Sequence, residues 1–174
     1  MQSETTSKTS SSQQHSMSLR FALATPAHII ATFFGSGVLR PASGTWGTLA
    51  GWLFYMVLHH WLGLGWWILL IIASFFIGAW ASGATGDDIG VHDHNSIVID
   101  EVFAIWLVLV TVPNQIGWQI VAFCVFRFFD IVKIQPAKYF DSNWHWRNGW
   151  GVMLDDAVAG IYAILLLLFL RCFS

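Results

Sequence analysis

The stretch PASGTWGTLAGWLFYMVLHHWLGLGWWILLIIASFFIGAWASGATG, residues 41–86, contains no Asp, Glu, Lys or Arg. A membrane-spanning helix needs about 20 predominantly apolar residues, so this stretch is long enough for two such helices. Of the 174 residues in the chain, 56% are hydrophobic and only 10% are charged. A soluble domain carries about 25% charged residues, so the sequence predicts an integral membrane protein.

The remaining apolar segments predict an all-α, polytopic membrane helical bundle with about four to five apolar helices and a disordered N-terminal tail. Residues 1–18 are rich in Ser, Thr and Gln, which is typical of disorder, and residues 19–174 form the predicted membrane-embedded domain. We expect an interfacial or re-entrant helix in residues 19–34 and a polar loop, ATGDDIGVHDHNS, in residues 84–96. The predicted spanning helices are residues 45–59, 65–83, 97–112, 116–132 and 151–173.

Basic residues near the helix ends predict the orientation of the chain in the membrane, because they favour the cytoplasmic side. They precede the first spanning helix and recur between the fourth and fifth. Simple alternation of the helices then places the tail, the loop 83–96 and the loop 133–148 on one side, which we predict to be cytoplasmic. The polar loops can therefore build one common site.

Charge and cysteine content argue against several other classes of protein. The formal net charge is −2 and there is no run of basic residues, so nucleic acid is not an expected partner. Cys124 and Cys172 both lie in apolar segments far apart in the sequence. Neither a disulfide framework nor a cysteine metal motif is indicated.

Two pairs of acids occur inside predicted spanning helices: Asp100 and Glu101 in SIVIDEVFAIW, and Asp155 and Asp156 in GVMLDDAVAG. A charged residue in such a helix costs roughly 2.5–3.5 kcal/mol on insertion scales and usually faces a polar cavity that holds a partner. A helix dipole can explain one acid, but not two pairs at matched depth. Carboxylates are the ligands of hard cations such as Mg²⁺, so we expect metal ligation by at least part of this set.

The fourth predicted spanning helix ends in FRFFDIVK, in which Arg127, Asp130 and Lys133 recur every three residues. This spacing places them along roughly one face of a helix. One reading is a self-satisfied ladder, in which Asp130 pairs with both cations. The other is that Arg127 and Lys133 hold phosphate oxygens while Asp130 orients them or binds metal. Both readings can hold together, and a buried ladder alone adds little stability.

Two further segments carry weaker signals. The loop GVHDHNS contains His92, Asp93, His94 and Asn95, and we expect His92 to serve as a general acid. A zinc site lacks a third soft ligand at matching spacing, and a solvated polar loop is the plain alternative. In GTWGT, Thr45 or Thr48 can cap a helix and Gly44 can let backbone N–H groups approach an anion; ordinary helix packing also uses such glycines.

Taken in order, four motifs resemble the phosphatidylglycerophosphatase A family: GSG…P…GTWGT, GVHDHNSIVIDEVFAIW, FRFFDIVK…P…FD and GWGVMLDDAVAG. The resemblance covers roughly residues 26–162. It implies a bacterial inner-membrane, Mg²⁺-dependent lipid phosphatase that converts phosphatidylglycerophosphate to phosphatidylglycerol, with a phospholipid substrate and a cytoplasmic site. It also implies functional roles for Asp100, Glu101, Arg127, Asp130, Lys133, Asp141, Asp155 and Asp156, and close helix approach at Gly160.

This chain has Ser43, Ile134 and Ala104 where family members often have Pro, Pro and Gly; these changes concern loop stiffness, helix packing and substrate fit more than the metal site. A proton-coupled transporter would also place acids in spanning helices, but it normally shows an internal repeat, and none is present. A non-catalytic scaffold would not need paired acids.

We expect catalytic roles for Asp100, Glu101, Asp130 and His92. We expect phosphate binding by Arg127, Lys133, Gly44, Thr45 and Thr48, and Mg²⁺ ligation by Asp100, Glu101, Asp155 and Asp156.

Overall fold

The computed structural model describes residues 17–91, 94–132 and 149–173. Throughout these ranges the regular structure is helical and contains no strand, which confirms the predicted all-α class. Most of the expected tail, and the predicted site residues His92, Lys133 and Asp141, lie outside the described residues. The helices are α1 (Leu19–Ala22), α2 (Pro26–Ala31), α3 (Ser43–Leu58), α4 (Leu64–Ile89), α5 (Ile99–Leu109), α6 (Ile116–Val132) and α7 (Gly149–Arg171), with a 3₁₀ turn at Ser36–Val38.

Helix α5 is the centre of the bundle. It packs chiefly against α3 and α7 and also contacts α4 and α6, and most of its side chains are buried. Its 11 residues extend about 16 Å, which is about half the thickness of a bilayer's hydrocarbon core. The acid pair Asp100 and Glu101 in its first turn is therefore placed inside a ring of longer helices.

Helices α4 and α7 are long and apolar enough to cross a membrane. Large apolar side chains on both remain more than half exposed, including Leu69, Phe76, Leu165 and Phe169. Apolar surface of this extent is unusual on a soluble monomer and fits contact with lipid. Among the described helices only these two meet the criteria for a span, so the count of four to five spanning helices remains a prediction.

The polar loop predicted to begin at residue 84 is partly helical, which corrects the sequence prediction. Helix α4 continues through ATGDDI and ends at Gly90, whose φ of +75° is the left-handed conformation that commonly terminates helices. Thr85 and Gly86 are buried, so packing against neighbouring helices continues past the apolar stretch. A helix of 26 residues is about 39 Å long, and its polar last turn can extend beyond the hydrocarbon core.

The expected single helix in residues 19–34 is two short helices, α1 and α2. Pro26 cannot continue a preceding helix, because it lacks an N–H and its ring clashes with the preceding turn, but it suits a first helical position. Thr25 caps the new helix by accepting from the backbone N of His28 at 3.2 Å. The His28 side chain is 3% exposed, and its Nε2 lies 2.9 Å from Asp88 Oδ2 on α4. This contact joins the N-terminal helices to the polar end of α4.

Candidate metal and phosphate site

Three acids from three different helices meet in the bundle. Glu101 on α5, Asp130 on α6 and Asp156 on α7 each offer one carboxylate oxygen, and these oxygens all lie within 4.8 Å of one another. The Glu101 and Asp130 side chains are 14% and 13% exposed, and Asp156 is 5% exposed. Three carboxylates this close repel one another strongly in a partly buried place, unless cations neutralise them.

The composition of this cluster, Glu101, Asp130 and Asp156, fits a hard divalent cation. Oxygen donors of this kind suit Mg²⁺, Ca²⁺ or Mn²⁺, whereas softer metals prefer sulfur and imidazole. Asp156 Oδ2 is buried and has no hydrogen-bond partner among the residues that the structure describes. A buried carboxylate oxygen without a partner is costly, and a bound cation would satisfy it.

Arg127 is the cation that the structure places beside this cluster. Its Nη1 donates to Asp130 Oδ2 at 2.5 Å on the same helix and to Glu101 Oε1 at 3.1 Å on α5. Longer contacts reach α3, from Nη1 to Thr48 Oγ1 at 3.3 Å and from Nη2 to Thr45 Oγ1 at 3.4 Å. Of the ladder reading, in which Asp130 pairs with both Arg127 and Lys133, the structure shows the Arg127 half, and Lys133 lies outside the described residues. The guanidinium also joins α6 to α5 and α3.

Two glycines of α3 allow its backbone to approach the charged groups closely. A Cβ at position 44 would meet Glu101 Oε1 and lie 3.1 Å from Arg127 Nη2, and one at position 47 would lie 2.5 Å from Val98 Cβ. The space on the Cβ side of Gly44 is therefore occupied by Glu101 and Arg127, and the binding of an anion by the backbone N–H groups near Gly44 stays a prediction. Gly44 serves the site by admitting these side chains.

The prediction that Thr45 or Thr48 caps a helix is wrong. Helix α3 begins at Ser43 after the N-cap residue Ala42, which makes no side-chain capping bond, so both threonines lie within the helix. Thr48 is fully buried, and its Oγ1 donates to the Gly44 carbonyl oxygen at 2.9 Å, a common bond for Thr inside helices. Thr45 is only partly buried, so of the two it is the one that a bound group could contact.

Each predicted acid pair contributes one member to the cluster. Adjacent residues on a helix point about 100° apart, so Glu101 and Asp156 join Asp130 while Asp100 and Asp155 take other directions. Asp100 and Asp155 are each only 8% exposed, and they are the chain neighbours of Glu101 and Asp156. The structure thus brings Asp130 into the metal-binding group and places Asp100 and Asp155 beside it.

The described end of the histidine loop is built into the protein rather than solvated. His94 is 2% exposed, and its Nδ1 accepts from the backbone N of Ser96 at 3.2 Å. The Ser43 hydroxyl donates to the Asn95 carbonyl oxygen at 2.5 Å. These bonds fix the loop against the start of α3 and set the position from which α5 begins, a role for Ser43 and His94 that no sequence motif indicated.

A family model and two of the relatives carry the same family description, and a third relative has a different name. Residues 29–171 match the family model described as phosphatidylglycerophosphatase A. The chain is 42% identical over 148 residues to phosphatidylglycerophosphatase A of Haemophilus influenzae, covering 84% of this chain and 89% of that protein. It is 36% identical over 154 residues to phosphatidylglycerophosphatase A of Escherichia coli, covering 87% of each. A Bacteroides thetaiotaomicron protein, provisionally named a phosphatidylinositol-3-phosphatase, is 34% identical over 146 residues, covering 80% of this chain and 89% of that protein. No solved structure matches the chain.

Proposed function

Because the chain belongs to the phosphatidylglycerophosphatase A family, we propose that it is a Mg²⁺-dependent lipid phosphatase acting on phosphatidylglycerophosphate. Net hydrolysis of the phosphomonoester, with water as the second reactant, would release phosphatidylglycerol and inorganic phosphate. The observation that carries the proposal is the meeting of Glu101, Asp130 and Asp156 beside Arg127. Phosphoryl transfer depends mainly on positioning and on neutralising charge at the phosphoryl oxygens, and this arrangement suits both tasks.

Glu101, Asp130 and Asp156 would hold the divalent cation, with Asp100 and Asp155 buried beside them as supporting acids. When bound, Mg²⁺ supplies a Lewis acid that polarises a phosphoryl oxygen. The acids themselves bind the cation and fix its place relative to Arg127. Asp130 has a double role in this scheme, because it also accepts a hydrogen bond from Arg127.

Arg127 would bind the phosphoryl oxygens, since a planar guanidinium can donate two parallel bonds to phosphate. Lys133 follows Asp130 by three residues and would provide a second positive charge. Thr45 and the backbone near Gly44 lie beside the Arg127 guanidinium and would complete the phosphate-binding wall. His92 would donate a proton to the departing glycerol oxygen.

The membrane setting follows from the same substrate. Helices α4 and α7 are apolar enough to cross a bilayer, so the acyl chains would remain in lipid while the phosphate head group reaches the acids. We assign the protein to the bacterial inner membrane as a multi-pass protein whose site opens to the cytoplasm. The basic residues near the predicted helix ends support this orientation.

The test uses the full chain, purified in detergent and supplied with phosphatidylglycerophosphate in mixed micelles. We expect phosphate release that EDTA abolishes and added Mg²⁺ restores. Asp156→Asn should remove nearly all release, whereas Asp87→Asn, at an exposed carboxylate on α4, should retain it. Activity that is indifferent to chelation would exclude the metal assignment. A panel including phosphatidic acid and phosphatidylinositol 3-phosphate measures substrate preference, and no release from any lipid would favour the transporter alternative.

A further inference from the structure

Arg127 binds the same carboxylates that the proposed function gives to the cation. Its Nη1 contacts both Glu101 Oε1 and Asp130 Oδ2, and both acids belong to the group whose oxygens lie within 4.8 Å. In this arrangement the guanidinium acts as the counterion of two of the three acids. In the described part of the chain the cluster combines three carboxylates with the Arg127 guanidinium, so a further cation would be attracted to it.

A divalent cation bound to these acids would weaken the interactions that hold Arg127 in place. The two positive charges would repel each other at short range, and in a partly buried site this repulsion is weakly screened. The cation would also compete for the carboxylate lone pairs that now accept from Nη1. Both effects weaken the hold of Glu101 and Asp130 on the guanidinium.

The guanidinium has donors ready for an anion. Nε is buried and has no hydrogen-bond partner among the residues that the structure describes, and the bond from Nη2 to Thr45 is long, at 3.4 Å. A phosphoryl group carries close to two negative charges at neutral pH and has several acceptor oxygens. Such a group would satisfy Nε and Nη2 together and offset the repulsion by the cation.

We propose that Arg127 couples the two binding events: the guanidinium occupies Glu101 and Asp130 before the cation binds and turns to the phosphoryl group once the cation holds these acids. Each ligand then favours the other, as linkage between two sites requires. This inference rests on the proposed function, because it takes the same acids as the cation site. It adds an order of events and a reciprocal dependence between cation and phosphate.

The test measures cation binding without catalysis, on the full chain in detergent, with Mn²⁺ as the probe and its electron paramagnetic resonance signal as the readout. Inorganic phosphate, the reaction product, serves as the second ligand. We expect saturating phosphate to lower the Mn²⁺ dissociation constant roughly 5- to 150-fold, the usual range for coupled sites. In Arg127→Met the Mn²⁺ dissociation constant should already be several-fold lower without phosphate, and phosphate should have no further effect.

Arg20→Met is the matched control, because it removes an exposed Arg in α1 and should show the same coupling as the unsubstituted protein. Mn²⁺–phosphate complexes that form in solution affect both proteins equally, so the comparison corrects for them. Arg127→Lys keeps the charge without the planar fork and should show reduced coupling, which keeps the test open if Arg127→Met fails to fold. Unchanged coupling in either variant, or weaker Mn²⁺ binding in Arg127→Met, would overturn the inference while leaving the phosphatase proposal intact. No Mn²⁺ binding by the unsubstituted protein would overturn both the inference and the cation assignment, and phosphate release from lipid, measured separately, would show whether the phosphatase proposal stands.

Discussion

Gly44 on α3 lies so close to Glu101 on α5 that a Cβ at position 44 would meet Glu101 Oε1. The same Cβ would lie 3.1 Å from Arg127 Nη2. The charged groups of the site are therefore pressed against the backbone of a neighbouring helix. Their positions depend on the missing side chain at residue 44 as much as on their own contacts.

Gly44→Ala should impair the site without unfolding the bundle. The added methyl group would push Glu101 and Arg127 away from the positions that they share, and a displacement of about 1 Å near the chemistry can cost roughly 100-fold in rate. We expect a loss of this size in phosphate release. Gly63→Ala is the matched control, because no atom lies within 4 Å of its Cβ position. Full activity of Gly44→Ala would show that the close contact is not needed.

Thr48 should act on Arg127 and not on the substrate, because its side chain is fully buried. Thr48→Val keeps the shape but removes the oxygen that accepts from Arg127 Nη1 and donates to the Gly44 carbonyl. We expect roughly a tenfold loss of kcat/KM, the equivalent of about one hydrogen bond. Thr48→Ser retains the hydroxyl and should recover most of this loss. A serine variant as impaired as valine would indicate a packing role instead.

The five acids in and beside the cluster, Asp100, Glu101, Asp130, Asp155 and Asp156, should fall into two groups when each is changed to its amide. Loss of Glu101, Asp130 or Asp156 removes an oxygen from the proposed cation site, and we expect activity to fall by more than about 100-fold with weaker Mn²⁺ binding. Asp100→Asn and Asp155→Asn alter neighbours of the site and should cost about 10- to 100-fold, as changes behind metal ligands usually do. Turnover retained in full by any one variant would remove that residue from the site.

Gly149 should be essential for packing α7 against α4. A Cβ at this position would meet the Ala79 carbonyl oxygen and Gly83 N, and backbone atoms cannot move aside as side chains can. Gly149→Ala should destabilise the protein by about 1–3 kcal/mol, as overpacking does. Thermal unfolding in detergent measures the effect. Gly117→Ala places its methyl group in open space at the start of α6 and should leave the thermal unfolding midpoint unchanged or slightly raised. If both variants changed the midpoint equally, the packing role of Gly149 would be contradicted.

His28 should contribute more to stability than its partner Asp88. His28 is 3% exposed, stacks on Phe21 at 4.3 Å and has both ring nitrogens in contact with oxygens. His28→Ala should therefore lower the unfolding free energy by about 1–3 kcal/mol. The Asp88 side chain is 56% exposed, and Asp88→Asn keeps an acceptor, so its effect should stay within about 0.5 kcal/mol. The reverse ranking would show that charge, and not burial, dominates this contact.

The apolar pattern was sufficient to predict the helical class and the position of α6, because long hydrophobic runs bounded by Pro or Gly leave few alternatives. It misplaced the end of α4, since Asp87 and Asp88 are polar residues on a helix that extends past its apolar part. It also merged α1 with α2. In that segment a single Pro and a Thr cap outweigh a continuous apolar composition.

The sequence was sufficient to propose the residues that meet in the candidate site, but it did not predict how they are arranged. Charges in apolar helices identified Glu101, Arg127, Asp130 and Asp156, because lipid makes such residues rare. Which member of each acid pair meets the others depends on how the helices are rotated, and that rotation is set by contacts between distant residues such as Gly44 and Glu101. Sequence spacing along one helix does not contain this information.

The cluster draws on α5, α6 and α7, and α3 supports it. Asp156 lies on the last of these helices to leave the ribosome. A nascent chain that has inserted α3 to α6 would already contain the ion pairs of Arg127 with Glu101 and Asp130, but it would lack Asp156. The proposed catalytic centre would therefore be completed only when the final helix docks, so a half-made chain in the membrane should be unable to consume lipid.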